Sequence, residues 1–213
     1  MAYQRRYQSD YVFNYWTALG WTVLTCGVFG LYVIYQLVRR MRDHNRRRLD
    51  LLEASIAFAW EQAQRRPAVA DELRPTFEAM AGNLAVLRQM TSDFRDPAIW
   101  TVLVAIGNTI AAVVVLILLD GDLIRHHRAE RAVQADLVRV YARLGQSLPS
   151  VDPSQVKSPH NYGGRIAAAI FTFTIYMFWW FRDVMDETNR HLAEDWEWED
   201  RLGAAVHALS NPA

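Results

Sequence analysis

Three things are scarce or missing in this chain, and each narrows what it can be. Cys26 is the only cysteine among 213 residues, so no disulfide forms within the chain and no paired-cysteine metal motif exists. Inside an apolar stretch it reads as a small packing residue. Lys157 is the only lysine, the rest of the 23 Lys+Arg residues being arginine. That bias is common in GC-rich bacterial genomes and points to an actinobacterial inner membrane. Catalytic signatures are missing too: there is no Gly-rich phosphate loop, no nucleophile elbow and no convincing two-residue alternation of a strand.

Charge itself is missing from three stretches, Tyr11–Val38, Pro97–Leu119 and Ile166–Phe181, while elsewhere about every third residue is Arg, Asp, Glu, Lys or His. A bilayer core about 30 Å thick takes roughly 20 apolar helical residues. Pro97–Leu119 has 23 and fits. Tyr11–Val38 has 28 and must tilt, break or begin in the headgroup layer. Ile166–Phe181 has 16 and reaches across only if Arg165 snorkels while Trp179, Trp180 and Phe181 settle at the other interface. The first block is too long for a secretory leader and lacks a small-residue cleavage pattern, so it is expected to stay as an anchor. The pattern predicts an all-α integral membrane protein with about three transmembrane helices and long amphipathic, coiled-coil-like helical arms.

The chain divides accordingly into a first membrane segment (1–40), a charged helical hairpin (41–96), a second membrane helix (97–120), an amphipathic helix (121–146), a loop (147–164), a third membrane helix (165–182) and an acidic, aromatic-rich C-terminal helix (183–213). In the first arm Leu49, Leu52, Ile56, Ala59 and Ala63 step by three and four. Leu73, Phe77, Met80, Leu84, Leu87 and Phe94 follow after the Arg65-Arg66-Pro67 break. Two such seams joined by a short link predict an antiparallel hairpin, each packing on the other or receiving a partner. The second arm places Leu123, Leu137, Tyr141 and Leu144 on one face and ends at Gly145. A short repeat relates Tyr32, Tyr35, Met41 and Asn45 to Tyr176, Trp179, Met185 and Asn189 at an offset of 144.

Charge is segregated although the total is zero. Arg39, Arg40, Arg42, Arg46, Arg47 and Arg48 form a basic collar expected to fix orientation or to meet anionic lipid headgroups. Asp183–Asp200 has eight acids against Arg190 alone, and the two clusters can attract each other. A cytoplasmic collar with three crossings puts Arg125, Arg128 and Arg131 on the wrong side. A re-entrant segment resolves the conflict, the first being the best candidate because Thr25-Cys26-Gly27 and Gly30 can break its helix. The collar abuts the bilayer, which excludes a nucleic-acid role.

Chemistry-bearing residues are sparse. Asp122, His126 and Glu130 share a helical face, but such residues on a solvated arm are ordinary, so no metal, cofactor or catalytic residue is expected. An enzyme would require Asp120, Asp122, His126 and Glu130 to converge in a pocket. His44, His160, His191 and His207 are scattered in sequence. The apolar blocks hold no ionisable group of the sort that transporters expose to their pathway. Gly27, Gly30, Gly107 and Asn108 are expected to pack membrane helices together.

The run Thr25-Cys26-Gly27-Val28-Phe29-Gly30-Leu31-Tyr32-Val33-Ile34-Tyr35, followed by Arg39–Asn45, resembles the bacterial membrane family known as domain of unknown function 4234. The likeness covers about thirty-five residues of the N-terminal third, with Val33-Ile34 standing where that family has a tryptophan. It implies an inner-membrane protein and brings no activity or catalytic residues. The expectation is a multi-pass, non-enzymatic accessory or scaffold subunit of a bacterial inner-membrane assembly. Its partners are membrane lipids, other membrane proteins or its own copies through the helical arms. The alternative is a component of a lipid or small-solute transport system.

Overall fold

The computed structural model describes residues 6–154 and 156–211, and every regular element among them is a helix. These are α1 (Arg6–Ser9), α2 (Tyr15–Leu24), α3 (Val28–Gln64), α4 (Pro67–Ser92), α5 (Pro97–Arg143), α6 (Tyr162–Phe171) and α7 (Tyr176–Ser210). One of them, α5, is long and apolar enough to cross a membrane by length and composition.

The apolar blocks are nevertheless not straight rods. Each is bent into a helical hairpin at a residue with left-handed backbone: Cys26 at φ 51°, Asn108 at φ 48° and Phe173 at φ 48°. A right-handed helix cannot continue through such a residue. Contacts at the open ends show that the two limbs lie side by side. Arg40 donates to the Tyr11 carbonyl at 3.1 Å, Arg95 pairs with Asp122, and His160 Nε2 lies 3.0 Å from Glu187 Oε1. On one straight helix Arg95 and Asp122 would be about 40 Å apart. Helix α5 is therefore two helices, 97–107 and 109–143, folded together at Asn108 (ψ −131°). The expected spanning helices at 1–40, 97–120 and 165–182 give way to three hairpins. The break anticipated at Thr25-Cys26-Gly27 occurs, and it has two counterparts.

The hairpins follow one plan. Twelve residues before each turn an Asx side chain caps the ascending limb. Asn14 accepts from the Thr17 amide (2.9 Å), Asp96 from Ala98 and Ile99 (2.8 and 3.1 Å), and Asn161 from Gly164 (3.0 Å). Eighteen residues after each turn stands a buried histidine, His44, His126 or His191, and four further on a buried ionisable group, Arg48, Glu130 or Asp195. The first and third turns agree bond for bond. The hydroxyl of Thr25 donates to the Trp21 carbonyl and accepts from the Phe29 amide; Thr172 does the same with Ala168 and Tyr176. The Gly27 amide reaches the Thr22 carbonyl as the Thr174 amide reaches that of Ala169. The repeat is thus threefold, and the offset from Cys26 to Phe173 is 147 residues, not 144. The shorter offset aligns similar letters at different heights in the hairpins.

The glycines act inside the hairpins rather than between spanning helices. Gly27 takes a left-handed conformation at φ 94°, and a Cβ on Gly30 would come within 3.0 Å of the Thr22 methyl on the opposite limb. A Cβ on Gly107 would meet Ala111 at 2.9 Å. Asn108 is the turn itself.

Below the turns α3, the second half of α5 and α7 run in one direction, while α4 returns antiparallel to α3, with Trp60 and Phe77 in edge contact at 4.9 Å. Leu52, Ala59 and Ala63 of α3 interlock with Leu73, Met80, Leu84 and Leu87 of α4, with Val133, Leu137 and Tyr141 of α5 and with Leu202 of α7. Phe94 instead joins a second core beneath the turns, built on Leu37, Leu116 and Trp180.

The backbone of Asn108 lies where only glycine is free of strain, which costs other residues about 1–3 kcal/mol. Asn108→Gly is expected to keep or raise the melting temperature in detergent, and Asn108→Val to lower stability by about 1–3 kcal/mol. Thermal unfolding followed by circular dichroism checks this; equal effects of the two changes would contradict the turn.

Candidate functional site

Because the three histidines hold equivalent places on three helices running in one direction, they meet. Ring centroids are 5.4 Å apart for His44–His126, 5.5 Å for His44–His191 and 5.8 Å for His126–His191. All three side chains are buried. Glu130 Oε2 lies 3.3 Å from His126 Nε2 and 3.7 Å from His191 Nε2. Asp195 Oδ2 lies 3.3 Å from His191 Nε2 and 3.4 Å from His44 Nε2.

A shell of ion pairs surrounds this centre. Arg48 pairs with Glu130, donates to Glu199 Oε1 at 2.8 Å and lies 3.5 Å from Asp195. Arg47 binds both oxygens of Glu199 at 2.8 Å and Asp10 at 2.7 Å. Asp10 also accepts from Ser9 (2.6 Å) and from the Trp196 indole (2.7 Å), and lies 3.1 Å from His44 Nδ1. With Nδ1 facing that carboxylate, Nε2 of His44 points inward, toward Asp195.

The electrostatics divide the histidines. Burial works against a charged His44, but the charge and hydrogen bond of Asp10 override it and push the ring up to about 10. Burial prevails at His191, which falls to about 4. Burial likewise opposes ionisation of the carboxyls. His44 and Arg47 nevertheless hold Asp10 below its usual range, and Arg48 with His126 does the same for Glu130. The buried atoms that lack a hydrogen-bond partner include Nε2 of His44, Nε2 of His126, both ring nitrogens of His191, Glu130 Oε2, Asp195 Oδ2 and an Nη of Arg48. Ligand atoms of His44, His126, Glu130 and His191 lie within 4.8 Å of one another, so these four can hold a metal ion.

The structure redistributes the residues singled out from sequence. His126 and Glu130 are buried rather than solvated, and Asp122 leaves them to pair with Arg95 and Arg125. Asp120 belongs to another group, with His160 and Glu187, where Lys157 pairs with both carboxylates and Tyr162 donates to Asp120 at 2.6 Å. An ammonium already fills that cation position. Of the six collar arginines, Arg40, Arg47 and Arg48 are buried, the last two in ion pairs, and do not reach lipid headgroups. Arg39 and Arg46 are exposed and Arg42 is half-buried. The attraction between the basic collar and the acidic tail is realised in the pairs to Asp195 and Glu199. His44 and His191 were missed because their spacing has meaning only relative to the turns.

At the opposite end the three turns surround a cavity of about 340 Å³ lined by Thr22, Gly27, Asn108 and Thr174.

Replacing Arg48 by Met strands buried carboxylates and is expected to cost about 3–5 kcal/mol, whereas Arg39→Met at the surface should stay within about 0.5 kcal/mol. Urea or thermal unfolding of both variants in detergent gives the comparison. In chelator-treated protein, the unfolded chain protonates His191 between pH 6.5 and about 4 while the folded one resists, so stability rises with pH there. Above 6.5 the folded chain keeps the His44 proton up to about 10 and stability declines. A melting-temperature profile peaking near the unperturbed histidine range is expected; a monotonic one would contradict this assignment.

No protein-family model, curated protein or solved structure matches this chain.

Proposed function

We propose that the protein is a non-enzymatic scaffold or accessory subunit, set in the bacterial inner membrane by the tips of its three hairpins. The observation that carries this reading is where the exposed apolar side chains lie. Among the described residues, every large hydrophobic side chain that is exposed, Val86 excepted, falls within the three uncharged blocks. They crowd the turns: Phe173 is 89% exposed, Phe171 84%, Ile106 81% and Ile110 80%. An apolar surface of that kind belongs against hydrocarbon or a partner.

A limb of eleven residues is about 16 Å long, roughly half of a 30 Å hydrocarbon core. The hairpins therefore dip into one leaflet and return, with their backbone groups satisfied inside helices. Arg182 over the Trp16 ring at 5.6 Å and the Arg165–Asp183 pair at 2.9 Å sit at the height suited to headgroups. The histidine centre and all the arms then lie on one aqueous side. Arg125, Arg128 and Arg131 share that side with Arg39, Arg42 and Arg46, which makes it cytoplasmic and removes the conflict that three crossings create. One-sided insertion takes the place of a multi-pass topology. The arms are left free for another membrane protein or a second copy.

The cavity between the turns favours a second reading, a component of lipid or small-solute transport holding an apolar chain there. Unchanged flux after deletion of the protein would remove it.

The membrane reading is tested by single cysteines placed at Arg66 and Ser147 on a Cys26→Ser background, in vesicles of known orientation. An impermeant maleimide is expected to label both positions from the same side only, and native Cys26 from neither. Labelling of Arg66→Cys and Ser147→Cys from opposite sides would overturn it. Extraction in mild detergent is expected to recover the chain with a partner or as an oligomer; a monodisperse monomer counts against the scaffold role.

A further inference from the structure

We propose that His44, His126, His191 and Glu130 bind one first-row divalent transition metal ion of the zinc class, which ties the three hairpin units together beneath the membrane. The ligands come from all three units. Helix α5 supplies two of them, four residues apart on one face, and α3 and α7 one histidine each.

The polar atoms facing the centre approach one another and Asp195 Oδ2 at 3.3–3.7 Å. Nε2 of His44 and His126, Nε2 of His191 and Glu130 Oε2 are buried and lack hydrogen-bond partners. Leaving four such atoms unmatched in one place costs each its hydration. A cation at the centre gives all four atoms one partner and displaces the Nε2 proton that Asp10 and Asp195 otherwise favour on His44. In a tetrahedral zinc site the ligand atoms stand about 3.3 Å apart. His126 Nε2 and Glu130 Oε2 are already at 3.3 Å, and His191 Nε2 at 3.7 Å from the same oxygen.

The surroundings match a metal site as well. Asp10 accepts at His44 Nδ1, the outer-sphere carboxylate that fixes the tautomer of a ligating histidine. Arg48 holds the other oxygen of Glu130, leaving Oε2 for the ion. Among the described residues, four carboxylates, those of Asp10, Glu130, Asp195 and Glu199, share ion pairs with only two arginines, Arg47 and Arg48, so the centre favours further positive charge. Imidazole in the majority selects against Mg²⁺ and Ca²⁺, and the lack of thiolate selects against Cu⁺. The four ligands are at most 5% exposed, as in closed structural sites rather than catalytic ones that keep a water position.

Metal analysis of the full-length protein purified in mild detergent tests this. About one equivalent of a transition metal per chain is expected, falling at least about fivefold in His126→Ala and His191→Ala. His160→Ala, in the group already filled by Lys157, is expected to keep it. Should the alanine variants fail to fold, the wild-type protein still decides the matter. After chelation, Co²⁺ is expected to give the visible absorption bands of a tetrahedral nitrogen–oxygen site, saturating at one ion per chain, and Zn²⁺ to raise the melting temperature. Wild-type protein that is isolated without metal and gives no such bands would overturn the proposal. So would full metal retention in both folded histidine variants. Flotation of the metal-stripped protein with vesicles reads the membrane proposal separately.

Discussion

The buried charge around Arg48 is the constraint on which the rest of the structure depends. Its guanidinium is fully enclosed between Glu130, Asp195 and Glu199, and the neighbouring Arg47 joins Glu199 to Asp10. Ions removed from water are tolerated only when each meets its counter-charge in good geometry. A slip of one residue along α3, α5 or α7 turns a side chain by about 100° and would break every pair at once. The network therefore fixes the register of the three helices more tightly than the leucine and alanine contacts below it.

Above that level the same plan is written three times in different residues. The caps are Asn14, Asp96 and Asn161, and the turns are Cys26, Asn108 and Phe173. The histidines are kept, while the groups four residues on are one cation and two anions. A repeat with three identical charges there would repel itself. One arginine between two carboxylates replaces that repulsion with attraction while preserving the threefold backbone. The turns carry strain at Phe173 and Thr174, both non-glycine residues with positive φ. Threonine hydroxyls hold two of these turns by taking over backbone hydrogen bonds.

The apolar turns and the charged centre are complementary halves of one design. Short hairpins place large aromatic and aliphatic side chains outward where water would be a poor solvent. In the proposed one-sided insertion, limbs of about 16 Å stay within one leaflet. In that setting the long arms and the α3–α4 seam need no second aqueous face.

Much of this was legible from sequence alone. Helix throughout, three uncharged blocks and the paired seams of Leu52–Ala63 and Leu73–Leu87 follow from local hydropathy and from steps of three and four, because such patterns act between near neighbours. The attraction between Arg39–Arg48 and the acidic tail follows from charge. What the tertiary structure decided was direction. Hydropathy counts apolar residues but is indifferent to whether the chain goes on or turns back, and Cys26, Asn108 and Phe173 share no side-chain chemistry that announces a left-handed turn. Once the three blocks fold back, histidines separated by 82 and 65 residues, from His44 to His126 to His191, arrive at one point. Only the packing of three helices in common register could bring them there.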